Sequence, residues 1–286
     1  MGLFAAVLSA VFSSSKDLLS KKLSFGLDGT TSTYASFSYA LPYYVVLLAA
    51  QVLLGEETLT LSRTFLVLVL LRSVTDTFAE GMKMHAFTHG DISVVSMVFS
   101  ISPVFLLVTS PLITGDMPSP LGAAAVLLVV AGSLAMVYRP AVAHGTGQQR
   151  GILLALGASF FFSLNSCFDR LAVKEGRPVL AGFSMTLLSA LFLFPLVVRR
   201  KDRLEALRSH RLGLLARGLL EIAFMVCKLY ALQFAQAPYV VGVMRLSLLF
   251  SIIGGRVFFG EPDFPRRLAA GALILAGASL IAYLEW

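Results

Sequence analysis

RSVTDTFAEGMK (residues 72–83) and RGLLEIAFMVCK (residues 217–228) decide how this chain is read. They align without a gap at an offset of 145, and the match runs on over residues 72–138 and 217–283. Arg72 falls on Arg217, Asp76 on Glu221, Lys83 on Lys228, Gly115 on Gly260, Asp116 on Glu261, Pro120 on Pro265, Gly132 on Gly277 and Tyr138 on Tyr283. The first three pairs place charge inside segments that are otherwise apolar enough to be membrane spans. Each such charge costs about 2.5–3.5 kcal/mol on the insertion scale and is usually functional. Duplicated bundles with ionisable groups at matching depth are a common plan for secondary transporters.

Composition agrees with a membrane setting. Of 286 residues, 57% are hydrophobic and 14% charged, and the mean hydropathy is +0.83. Soluble domains carry about 25% charged residues. A span needs roughly 20 mostly apolar residues, so the chain has room for about ten and for no sizeable soluble domain. The net charge of +7 resides mostly in short loops, which suits topology signals and anionic headgroups rather than nucleic acid. Cys167 and Cys227 fall inside spans and are expected to be free thiols. The opening segment lacks a basic n-region and a clear cleavage site, so a retained first helix is expected rather than a signal peptide.

The spans are expected at 3–20, 34–54, 64–87, 92–113, 120–138, 151–171, 180–198, 212–234, 238–257 and 268–284. This gives an all-α polytopic membrane protein with ten transmembrane helices. Residues 1–138 form a first five-helix repeat, 139–150 a polar linker, and 151–286 a second repeat. Five is odd, so the second copy enters the membrane upside down. Loop charge supports the inversion: 55–63 carries Glu56, Glu57 and Arg63, whereas its counterpart 199–211 carries six Lys/Arg against two acids. Counted over all loops, the positive-inside rule puts both termini away from the cytoplasm.

Ten spans in two inverted halves resemble the drug/metabolite transporter superfamily, in particular its EamA-type members. Ser102-Pro103-Val104-Phe105 followed by Gly115-Asp116 resembles that family's "SPVF…GE" stretch. The second half repeats the order with Leu248-Leu249-Phe250, Gly260-Glu261 and then Gly271 and Gly277. The resemblance implies a central cavity, alternating access and cytoplasmic termini, the last at odds with the loop charges. It also implies a multi-pass protein, with a bacterial inner membrane as the expected location.

The charged faces are the candidate site. At 100° per residue, Arg72, Asp76, Glu80 and Lys83 lie within an arc of about 80°, and Arg217, Glu221 and Lys228 within about 40°. Arg72/Asp76 and Arg217/Glu221 can neutralise each other as i,i+4 pairs. A lipid-facing helix would still not keep these charges, which favours a wet cavity over a purely structural role. Lys228, and then Lys83, are the expected substrate contacts, since neither has an acid at i+4. Arg245 falls on Ser100 in the repeat. It either pairs with Glu221 or holds an anion through its bidentate fork. Ser96 and Ser100 offer a hydrophilic stripe or close packing, Tyr230 a stacking ring, and Asn165 with Asp169 a polar pair placed nearer the interface together with Lys16 and Asp17. Asp76, Glu80 and Glu221 are the proton-coupling candidates.

No catalytic residue, cofactor or metal is expected. His85 and His89 with Asp91 lack a further ligand, and no Walker, dinucleotide or zinc-protease motif occurs. The partners expected are the bilayer and a small polar metabolite, leaning towards an organic anion, phosphorylated compound or amino acid. Nucleic acid is not expected, and a homodimer is left open. The functional expectation is a secondary active transporter, proton-coupled or exchanging. The alternative from another class is a membrane-embedded enzyme acting on a lipid.

Overall fold

A computed structural model describes residues 1–23, 27–55, 61–89, 98–137, 146–259 and 264–286. These residues are mostly helical, joined by short turns, with no strand among them. The helices are α1 (Gly2–Leu23), α2 (Gly29–Ser38), α3 (Leu41–Leu53), α4 (Arg63–His89), α5 (Ser102–Ile113), α6 (Pro120–Val137), α7 (Thr146–Glu175), α8 (Pro178–Val198), α9 (Lys201–Ser209), α10 (Arg211–Phe234), α11 (Ala237–Met244), α12 (Leu246–Phe259) and α13 (Phe264–Glu285).

Local chemistry sets the boundaries. Asp28 caps α2 by accepting from the Thr31 amide at 2.8 Å and pairs with Arg203 at 2.8 Å. Partial burial raises the Asp28 pKa, but hydrogen bonds from Thr31 and Arg203 outweigh it and hold the carboxyl below the usual carboxylate range. Pro42, Pro103, Pro178 and Pro238 sit in first turns, where a missing N–H costs nothing. Gly55 and Gly115 turn the chain after α3 and α5 with φ of 71°, a conformation that side chains other than glycine rarely adopt.

Among the described residues, five segments are long and apolar enough to cross a membrane: Gly2–Leu19, Gly29–Leu53, Gln149–Glu175, Pro178–Val198 and Leu268–Glu285. The second is kinked between α2 and α3 ahead of Pro42. α4 has 27 residues and α10 has 24, ample to span, but each carries too much charge to qualify on apolarity. Their charges are turned inward. On α4 the outer face exposes Leu66, Val67, Leu70, Leu71, Val74 and Phe78, while Arg72, Ser73 and Asp76 are buried. An apolar exterior around a polar interior reverses the soluble pattern and matches a helix that meets lipid on one side and protein on the other.

The broadest packing is α4 on α7, α6 on α13, and α1 on α10. Exchanging the halves exchanges the first and third contacts and returns the second to itself. That second contact is reciprocal in detail. A Cβ on Gly132 would lie 2.8 Å from the Ile274 amide nitrogen, and one on Gly277 would lie 2.6 Å from a Val129 methyl. Val129 and Ile274 are themselves 145 residues apart. Both glycines are therefore required by close helix approach.

The two ends of the bundle differ. Gly2 touches Trp286, so both termini lie at one end, the terminal face. Asp28 and Arg203 lie at the other, the basic face, with α9 beside them.

Candidate functional site

Two groups of charges occupy the interior, one nearer each face. The group towards the terminal face is closed. Asp169 on α7 is fully buried and accepts from Arg72 Nε at 3.1 Å and Lys228 Nζ at 2.7 Å. Arg72 also donates to Asp76 at 2.7 Å, and Asn165 Nδ2 donates to Asp76 at 2.9 Å. Thr75 hydrogen-bonds to Asn165. Three helices, α4, α7 and α10, are thus tied through one carboxylate. Charge-assisted bonds of this length are strong, and removing the shared Asp169 carboxylate would leave buried positive charge uncompensated.

Several expectations change here. Lys228 has no acid on its own helix, but α7 supplies Asp169 across the bundle. Its side chain is only 10% exposed, against 25% for Lys83, so Lys83 is the more open of the two. Asn165 and Asp169 are buried rather than interfacial. Sequence reasoning missed Arg170, which donates to Asp116 at 3.0 Å and to the Leu232 carbonyl. Its position beside Asp169 was the available signal. Lys174 joins it at 3.5 Å from Asp116.

The group towards the basic face is looser. Lys16 pairs with Glu221 at 3.2 Å and lies 4.1 Å from the Phe224 ring centroid. Lys83 pairs with Glu80 on its own helix. Arg217 does not pair with Glu221; it donates to the carbonyl and hydroxyl of Ser32 at 2.9 and 2.8 Å. The i,i+4 expectation therefore holds for Arg72/Asp76 and fails for Arg217/Glu221. Packing of α1 and α2 on α10 offers each of the latter a better partner. All three proton-coupling candidates, Asp76, Glu80 and Glu221, have a cationic partner.

Between the groups, two helices break at repeat-matched positions. Residues 100–101 form a turn ahead of α5, and Arg245 alone separates α11 from α12. Both breaks use bonds to the residue three back: Ile101 N to Val98 O at 3.1 Å and Arg245 N to Gly242 O at 3.1 Å. The tighter 3₁₀-type turn frees carbonyls from the regular ladder. Arg245 Nη2 donates to the Phe99 carbonyl at 3.2 Å, so one break touches the other. Its buried Nε has no partner, and among the described residues no carboxylate pairs with it. The expected alternative of a bond to Glu221 is not made.

The remaining candidates are placed apart or not described. Ser100 is buried at the first break. Ser96 and Asp91 lie outside the described residues. Tyr230 is 41% exposed and leans on Phe234 at the bundle's rim, away from both groups. His89 Nδ1 lies 2.8 Å from the His85 carbonyl. The two cysteines are free thiols, Cys167 buried and Cys227 half-buried.

A helical bundle with apolar outer faces, an ion-paired interior and paired helix breaks defines a multi-pass membrane protein of the transporter class. The chain belongs to the EamA-like transporter family, matching it over residues 1–138 and 149–283, and hence to the drug/metabolite transporter superfamily. A solved crystal structure, described only as that of a protein, shares the fold with a TM-score of 0.72 at 17% identity. The match covers 99% of this chain and 96% of that one. No curated protein matches the chain.

Proposed function

We propose that this protein is a secondary active transporter in which ten spans form two inverted five-helix halves, 1–138 and 151–286, rocking about a central site. The matched breaks at Ser100 and Arg245 are the site, and Arg245 is the residue that receives the substrate. One observation carries this: a half-buried arginine whose buried Nε has no partner, with no acid paired to it among the described residues, set between two interrupted helices. Burying a charge without a counter-ion is expensive, and an anionic substrate supplies the missing one in the bidentate geometry that arginine favours. The substrate is accordingly a small polar metabolite bearing a carboxylate or phosphate. Lys83, the more open lysine, stands towards the basic face as a second contact. Lys228, Arg72 and Arg217 contribute positive field.

The basic loops mark the cytoplasmic side, which sets the basic face inward and both termini outward, in a bacterial inner membrane. Transport is driven by exchange of one anion for another or by proton movement through Glu80 and Glu221. Flux into proteoliposomes with and without an imposed pH gradient separates the two.

A thermal-shift screen of the purified protein against metabolite anions, amino acids and nucleotide sugars tests the site. Ligand at about 100 times its Kd stabilises by about 2.7 kcal/mol, readily seen as a higher melting temperature. The expected outcome is a compound that stabilises the wild type and not Arg245→Ala. Equal stabilisation of both proteins would overturn the assignment.

A further inference from the structure

The two charge groups are copies of one another in different states. Arg72, Asp76 and Lys83 repeat as Arg217, Glu221 and Lys228 at the offset of 145. The first and sixth expected spans supply the remaining member. Ser14-Ser15-Lys16-Asp17-Leu18-Leu19 and Ser166-Cys167-Phe168-Asp169-Arg170-Leu171 share their serine, aspartate and final leucine. Asp17 is therefore the twin of Asp169.

The partners exchange in the same way. Asp169 takes the arginine of α4 and the lysine of α10, Arg72 and Lys228. Lys16 is the leading charge acting on Asp17, followed by Lys83 of α4, then Glu221 and Arg217 of α10. Yet among the described residues Asp17 makes no hydrogen bond or ion pair. Its twin is fully buried, while Asp17 itself is exposed.

Packing says which of these bonds span a gap. α4 is paired with α7, and α1 with α10. Arg72–Asp169 lies within the first pair of helices, whereas Asp169–Lys228 crosses from one pair to the other. By the repeat, Arg217–Asp17 would lie within the second pair, and Asp17–Lys83 would cross.

We infer that Asp169–Lys228 and Asp17–Lys83 are alternating locks, the first closing the terminal face and the second closing the basic face. The structure holds the first lock shut and the second open. In the opposite state Lys83 leaves Glu80 for Asp17, and Lys228 leaves Asp169, which Arg72 continues to neutralise. Asp17 thereby becomes a gating residue, although it makes no bond in the state described. The inference rests on the alternating-access reading, but it can fail separately.

Pulsed electron paramagnetic resonance on the full chain in nanodiscs tests it without any substrate. In a Cys167→Ala/Cys227→Ser background, spin labels at positions 150 and 211 report the basic face, and labels at 175 and 234 the terminal face. All four positions are exposed in the structure. The expected result is that Asp17→Asn and Lys83→Met each deplete the short basic-face distance about fivefold or more, within the range of ordinary coupling energies. The double variant should deplete it no further, and Asp17→Glu should restore it. Lys228→Met should enrich the same distance while lengthening that of the terminal face. Asp17→Asn leaving both distributions unchanged, or additive effects of Asp17→Asn and Lys83→Met, would overturn the locks. So would a single distance on each face in wild type and Lys228→Met alike. Absence of flux with every metabolite tried would instead count against the transport assignment, because the distances need no cargo.

Discussion

Asp169 and Arg245 are both ionisable and both inside the bundle, yet substitution should move stability in opposite directions. Asp169 offsets two cations at 3.1 and 2.7 Å. Asp169→Asn strands both, and breaking a buried pair costs about 3–5 kcal/mol, so a large fall in melting temperature is expected in detergent. Lys228→Met should cost clearly less, because Arg72 still satisfies the carboxylate. Arg245 has no carboxylate partner among the described residues, so Arg245→Met should hold or raise the melting temperature while abolishing anion-induced stabilisation, a trade between stability and function. A fall for Arg245→Met as deep as that for Asp169→Asn would show that it is a structural ion. These residues also mark what the sequence made legible. Arg245 stood out because the repeat sets it against Ser100. Asp169 did not, because helical-wheel arithmetic treats one helix at a time, and its value arises only where α7 meets α4 and α10.

Among the elements, α6 and α13 offer the cleanest test of the duplication. Gly132 meets Ile274 and Gly277 meets Val129, each within 3 Å of an added Cβ. Overpacking a close-packed interface costs about 1–3 kcal/mol, so Gly132→Leu and Gly277→Leu should destabilise by similar amounts. Thermal unfolding of the pair checks this, and a cost confined to one glycine would contradict the reciprocal contact. The cap of α2 gives a second test. Asp28→Ala removes the bond to the Thr31 amide and the tie to Arg203, for a loss of about 1 kcal/mol. Because the folded-state pKa of Asp28 is depressed, its contribution is full above the ordinary aspartate value. It fades as pH falls through the lower folded value, so the gap between wild type and Asp28→Ala should close in strong acid. Apolar runs and Gly/Pro breaks made most of these helices visible in advance. The interruption at Arg245 was not visible, because Val243-Met244-Arg245-Leu246 carries no proline or glycine to announce it. There the guanidinium reaches across to the Phe99 carbonyl beside the matching break, a tertiary contact that local sequence does not announce.

At the scale of the whole molecule, asymmetry is the informative property. Two halves with matching charges would, if identical in conformation, be equally open or equally closed. Instead one group is knitted together by bonds of 3.1 Å or less, and the other retains an aspartate whose side chain has no bond among the described residues. Orientation decides what this means for the cell. The contact of Gly2 with Trp286 puts the termini together at the tightly bonded end. The six Lys/Arg of residues 199–211 are the reason for the proposal that the opposite end is cytoplasmic. Under the proposed orientation, the structure corresponds to a carrier open inward and shut outward. Peptide tags placed at both termini and read in intact cells test the assignment, since an impermeant antibody should reach both without permeabilisation. A single cysteine at position 203 should by the same logic react with an impermeant maleimide only after the membrane is opened. Tags reached only in permeabilised cells would invert the assignment, making the closed face the cytoplasmic one and the open face the side from which substrate is first captured.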